Sequence, residues 1–192
     1  MPSFVAPDGG TPSFVVPDGG TPSFVAIDFE TADQGRDSAC SVAVAVVEAG
    51  RLVETVHRWI RPPRSHFLFT HIHGITWEQV EDQPDFAAVW RDIAPLIEAA
   101  PFVAAHNAPF DRGVLEGGCR DAGVAPPAKS YLCTVRLARA VWNLRPTKLP
   151  DVCRHLGLAL NHHDAVSDAN ACAAIVLAAV RDGARLDRWL RG

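Results

Sequence analysis

Nine residues, SFVAIDFET (Ser23–Thr31), decide the fold. Phe24–Ile27 is an unbroken apolar run, the pattern of a strand covered on both faces. It ends in two acids, Asp28 and Glu30, at positions i and i+2. On a strand such positions project from one face. At about 5 Å and an effective dielectric near 20, two carboxylates repel by about 3 kcal/mol. One of them then holds a proton, a cation sits between them, or the strand end opens into water and both are hydrated. The pair alone leaves all three open.

Upstream, the same decapeptide is written twice more, so that Asp8 and Asp18 occupy the place of Asp28. Only the third copy replaces the preceding Pro with Ile27 and Gly-Gly with Phe29-Glu30. The PDGG segments are turn signals. Two spare copies of ten residues cannot bury a core, so residues 1–20 are expected to be a flexible tail and residues 21–192 a single domain.

Downstream, SVAVAVVEAGRLVETVHRWI gives two β-rich runs around Ala49-Gly50, a hairpin. Phe86, Val89, Trp90, Ile93 and Ile97 mark a helix over Phe86–Ala99. FVAAHN reads as a buried strand, and APFDRGVLEGGCRDAG as a helix stopped by Gly123. Further helices are expected at Val135–Trp142, Leu149–Leu156, Val166–Arg181 and Arg185–Leu190. Three strands, a helix, a strand and then mostly helix make an α/β layer fold with a mixed sheet.

Composition narrows the class. Of 192 residues, 48% are hydrophobic, which is too many for a disordered chain. The net charge of −4 offers no global basic field for wrapping nucleic acid, although a site gripping a few nucleotides through metal ions needs none. Five cysteines stand far apart, as reduced buried thiols do in a cytosolic protein. No signal peptide or membrane span is legible, so a cytoplasmic location without membrane contact is expected.

Two more acids follow strand signals. In HNAPFD, Asp111 opens a helix directly after a buried strand, at the sheet edge where open α/β sheets bind ligands; it also suits the helix dipole. In HHDAVSDANACAAIVLAAV, small residues at helical spacing let the last long helix approach the sheet, carrying Asp168 with it. Asp164 suits an N-cap. His163 precedes Asp168 by five residues, and His162 stands beside it.

Taken in order, Asp28-Phe29-Glu30-Thr31, HNAPFD and HDAVSD resemble the three motifs of the DEDDh family of 3′–5′ exonucleases, which includes the epsilon subunit of bacterial DNA polymerase III and RNase T. The resemblance runs from about Phe24 to Val180 and implies a ribonuclease H-like fold, a five-stranded mixed sheet flanked by helices. It implies hydrolysis of phosphodiesters at the 3′ end of nucleic acid, single-stranded by preference and DNA before RNA. An exoribonuclease or a non-catalytic binding module are the alternatives. Asp28, Glu30, Asp111 and Asp168 would hold two Mg²⁺ (or Mn²⁺), with His163 as general base. Phe29 would stack on the terminal base, with a core aromatic as the other reading. Thr31 would seat the terminal nucleotide. His106 and Asn107 would lend hydrogen bonds from a strand end, and His73, in HGIT, would border the substrate groove. Arg36, Arg58, Arg61 and Arg64 could reach phosphates, salt bridges being the alternative. In this fold the first strand is flanked on both sides, so Asp8 and Asp18 are expected to be bystanders. The epsilon subunit is tethered through a tail, and the chain here stops at Gly192, which argues against stable polymerase attachment. A homodimer is compatible with the resemblance.

Overall fold

The computed structural model describes residues 21–190. The expected tail at residues 1–20, with Asp8 and Asp18, lies outside the described residues. Five strands, β1 (Phe24–Thr31), β2 (Ala39–Glu48), β3 (Arg51–Trp59), β4 (Val103–Ala105) and β5 (Tyr131–Cys133), form one sheet in the order β3-β2-β1-β4-β5. The pairs β1–β2 and β2–β3 are antiparallel, and β1–β4 and β4–β5 are parallel. This is the expected mixed sheet of a ribonuclease H-like fold. β1 lies at its centre, which is why Phe24–Ile27 carries no polar residue.

Alternation along β1 divides the core. Val25, Ile27 and Phe29 pack with Val89, Ile93 and Ile97 of helix α3 (Phe86–Ala99) and Val114 and Leu115 of α4 (Ala108–Asp121). Phe24 and Ala26 face the other way, with Ala43 and Ala45 of β2, against α7 (Ala165–Arg181). Ala165, Ala169 and Ala173 meet those sheet alanines, so small residues on both sides let helix and sheet approach closely. On the opposite layer, a Cβ at Gly117 of α4 would fall on the backbone carbonyl of Arg36 in the β1–β2 loop. That contact fixes how deep α4, and with it Asp111, sits against the end of β1.

The hairpin turns at Ala49 and Gly50, both with positive φ (45° and 74°), and α3 begins at the Asp85 N-cap, whose side chain accepts from the Ala88 N–H. The remaining helices are α1 (Thr70–His73), α2 (Trp77–Val80), α5 (Thr134–Val141) and α6 (Leu149–Leu156). Differences from the sequence reading are local. β5 is only three residues long, too short to show periodicity. The expected helix at Arg185–Leu190 is a single 3-10 turn, Leu186–Arg188. α1 and α2, four residues each, have no pattern to read. Among the described residues no helix is long and apolar enough to cross a membrane.

Candidate active site

The even-numbered face of β1, apolar at Phe24 and Ala26, turns acidic at Asp28 and Glu30 where the strand passes the first turn of α7. There the alanine contact delivers Asp168. One carboxylate oxygen from each of Asp28, Glu30 and Asp168 lies within 4.8 Å of the others. Asp164 is the N-cap of α7, its side chain accepting from the Ser167 N–H, as read from the sequence. Asp111 arrives from the opposite layer. Asn107, in the left-handed conformation that Asn tolerates, turns the chain out of β4 into α4, and Asp111 falls in its first turn. Its Oδ1 accepts the backbone N–H of Phe29 at 3.1 Å.

Asp168 is 4% exposed. Its Oδ2 accepts from Nδ1 of His162 at 2.9 Å and from the backbone N–H of His163 at 3.1 Å. Its Oδ1 has no partner and is the one buried side-chain polar atom in that state among the described residues. An orphaned buried acceptor costs about 1–3 kcal/mol, more for a charged group.

The cluster is electrostatically unfavourable by itself. Burial, then the charges of Asp111, Glu30 and Asp168, holds the Asp28 carboxyl well above its ordinary range. Glu30 is pushed up to about 8, by burial first and then by Asp168 and Asp111. Burial raises Asp111 against the pull of the Phe29 N–H, and raises Asp168 against those of His163 and His162. No Arg or Lys among the described residues forms an ion pair with any of the four. Hard oxygen donors and an unpartnered buried oxygen suit Mg²⁺ or Mn²⁺. Asp28, Glu30 and Asp168 could hold a metal ion, with Asp111 adjoining.

The histidines sort by their partners. His163 is exposed, at φ 70°, with its ring stacked on that of His162 at 3.7 Å. Burial and the neighbouring His162 lower its pKa. His73 accepts the Ile75 N–H at Nδ1 (3.0 Å), so its proton is on Nε2 and is donated to the Thr31 carbonyl (3.1 Å). It therefore clamps α1 onto the end of β1. His106 has its pKa pushed down to about 4, mainly by burial. Its Nε2–H donates to the Thr147 carbonyl (3.0 Å), leaving Nδ1 to accept from the Thr134 hydroxyl (2.8 Å).

Two cavities meet at Asp28, His162, His163 and Asp168. One, of about 300 Å³, is bounded also by Glu30, Thr31, Phe69, Ile72, His73 and Phe110. The other, of about 740 Å³, opens past Asn107 and His106 along the segment from Arg145 to Leu149. Of the two readings of Phe29, its burial supports the core aromatic, although the residue also borders the smaller cavity. The Phe29 ring is 3% exposed and packs in the core, because it follows Asp28 by one residue and points to the opposite face. What Phe29 offers the site is its backbone N–H. The exposed apolar side chains are Ile72 and Phe110. Phe110 was legible as the residue before Asp111 in HNAPFD; Ile72 lies on α1 and had no signal. Two of the four arginines follow the salt-bridge reading. Arg58 pairs with Asp92 and Arg64 with Asp33 and Asp37, while Arg36 lies over the Phe110 ring.

Residues 25–176 match the RNase T family, described as exonuclease. The chain belongs to this exonuclease family. Its sequence is 33% identical over 157 residues to the 3′–5′ exonuclease DinG of Bacillus subtilis, a match covering 79% of this chain and 17% of DinG. It is 30% identical over 155 residues to the PolC-type DNA polymerase III of Thermotoga maritima, covering 79% of this chain and 11% of the polymerase. The chain thus spans less than a fifth of these curated relatives. Among solved structures, exonuclease X in complex with 5′-overhanging duplex DNA superposes with a TM-score of 0.70 at 25% identity, covering 86% of this chain and 96% of that one. The nuclease domain of 3′hExo, a DEDDh family member bound to rAMP, gives 0.72 at 18% identity, covering 85% and 94%, a likeness of fold. Of the four acids expected from the sequence, Asp28 and Asp168 line both cavities and Glu30 the smaller one, while Asp111, 2% exposed, adjoins them through the Phe29 N–H.

Proposed function

We propose that this exonuclease domain removes nucleotides from the 3′ end of a nucleic-acid strand by metal-dependent hydrolysis, with single-stranded DNA preferred to RNA. The observation that carries the reading is the buried acid cluster with an orphaned Asp168 oxygen and no Arg or Lys paired to it, open to a cavity on either side. Asp28, Glu30, Asp111 and Asp168 carry −4 when ionised, and two Mg²⁺ or Mn²⁺ ions cancel that charge. Bound there, the ions supply Lewis-acid polarisation of the phosphate and of water.

The remaining work falls to the chain's own side chains. His163 takes the proton of the attacking water. Burial and His162 lower its pKa, which favours the neutral imidazole able to accept a proton. His162 stacks on it and, through its bond to Asp168, holds both the acid and the loop in place. Thr31 and His73 shape the wall where the terminal nucleoside rests, and Asn107 presents its amide at the mouth of the larger cavity. Phe110 takes the stacking role first expected of Phe29. The preference for DNA is supported by the relatives of 25% and 30% identity whose printed names concern DNA.

The test uses 3′-labelled single-stranded DNA, duplex DNA and RNA with Mg²⁺, Mn²⁺ or chelator. Release of labelled mononucleotide, fastest from single-stranded DNA and abolished by chelator, is expected. A folded protein that releases nothing from any of the three with either metal overturns the proposal.

A further inference from the structure

The two cavities differ in charge. No Lys or Arg lines the smaller one, whose walls beyond the acids and the two histidines it shares with the larger are Phe29, Thr31, Phe69, Ile72, His73 and Phe110. The larger is lined by Arg139, Arg145 and Lys148. Arg145 and Lys148 are exposed, and none of the three forms an ion pair with a described residue. In a chain of net charge −4, three unneutralised cations beside four carboxylates are a local arrangement.

The wall that bears them is braced. Thr147, buried between Arg145 and Lys148, is tied at its carbonyl to Nε2 of His106 and at its hydroxyl to Nε of Arg139 (both 3.0 Å). His106 follows β4 directly, so the basic wall is anchored to the sheet end that also launches Asp111. The cations are therefore held at a fixed place relative to the acids.

Resting on the exonuclease reading, we infer that the strand crosses the site in one direction, its terminal nucleoside in the apolar pocket and the phosphates 5′ of the scissile bond along the Arg139–Arg145–Lys148 wall. A nucleoside with a free 3′ end brings little charge and suits an uncharged pocket. Each further phosphate brings a negative charge, and the Arg and Lys side chains that line a cavity at the site are those of the basic wall. Substrate length should therefore be read by Arg145 and Lys148, and the terminal residue by the opposite pocket.

The test is the double variant Arg145→Glu/Lys148→Glu, with Arg91→Glu on α3 as a control for charge reversal outside both cavities and a melting curve to establish folding. kcat/KM is measured on a thymidine decamer and on a thymidine dinucleotide. Binding of a 5′-labelled decamer is followed by fluorescence anisotropy against salt in an Asp28→Ala background. The double variant is expected to lose at least about tenfold more on the decamer than on the dinucleotide, and the slope of log affinity against log salt should fall by about 1.4 for two lost contacts. Arg91→Glu should change neither. Equal losses on both substrates, or unchanged decamer binding, overturn the inference while leaving the exonuclease reading intact. If the unaltered protein hydrolyses neither substrate, the exonuclease reading falls, and the anisotropy alone decides whether the basic wall holds a strand.

Discussion

Two groups of acids stand within ten residues of each other and have opposite fates. Asp33 and Asp37, in the β1–β2 loop, share Arg64. Its Nε and Nη2 reach Asp33 (2.9 and 3.2 Å), and Nη1 and Nη2 reach Asp37 (both 2.7 Å). Those bonds hold both carboxyls below their ordinary range. Asp28 and Glu30, on the adjoining strand, have no such cation, and their carboxyls are raised. The first group is finished by folding alone, whereas the second is left incomplete by it. An incomplete buried cluster is costly for stability and is retained where a ligand completes it.

The sharpest way to break this contrast is to remove one acid from each group. Asp28→Ala should lower turnover about 10³-fold or more, roughly 4 kcal/mol of transition-state stabilisation. Asp33→Ala should leave turnover within about tenfold while lowering the melting temperature. Comparable losses from the two would erase the distinction.

The paired histidines sharpen it next. His163→Ala should cost about 10²–10³-fold, the usual scale for a general base, and should flatten the acidic limb of the pH–rate profile. His162→Ala should cost about tenfold and keep that limb. A reversed ranking would move the proton transfer to His162.

A third contrast is in stability against pH. The raised carboxyls bind more protons in the native state than in the unfolded one between about pH 4 and pH 8, the upper bound set by Glu30 at about 8. Without divalent ions, the melting temperature should therefore fall as pH rises through that window. Mg²⁺ or Mn²⁺ should restore more at pH 8 than at pH 5. A gain independent of pH would show that the ions bind elsewhere.

The smallest effect is expected at the finished group. Arg64→Ala should cost about 1 kcal/mol at pH 7, because its side chain is 43% exposed and the pairs are screened. Asp33 and Asp37 are depressed in the folded state, so this stabilisation exists above their unfolded values and is lost as pH falls through their folded ones. Chemical denaturation at pH 7 and at pH 3 should show the cost shrinking. A constant cost would assign it to lost packing.

Legibility followed the length of each signal. The helices over Phe86–Ala99 and Leu149–Leu156 were readable to the residue because the first has several turns of apolar periodicity and the second a clear run bounded by Pro150 and Gly157. The four acids were readable because each follows a strand or precedes an alanine stripe. The basic wall was not, since Arg139, Arg145 and Lys148 have no common spacing and are gathered by the bonds of His106 and Arg139 to Thr147. Phe29 could be read either way in the sequence, because the neighbour of a functional residue on a strand faces away from it and only burial in space decides between the readings.

The sequence by itself determined the order of strands and helices, the central place of Phe24–Ile27 and the acids that meet there, since apolar periodicity and i, i+2 alternation are properties of the chain alone. Tertiary structure decided which acids are neutralised, which aromatic is exposed, and on which side the cations collect. Those depend on what lies opposite each side chain in space, and hydrogen bonds between residues 27 to 41 positions apart, such as those that Arg64 and His106 make, leave no trace in local spacing.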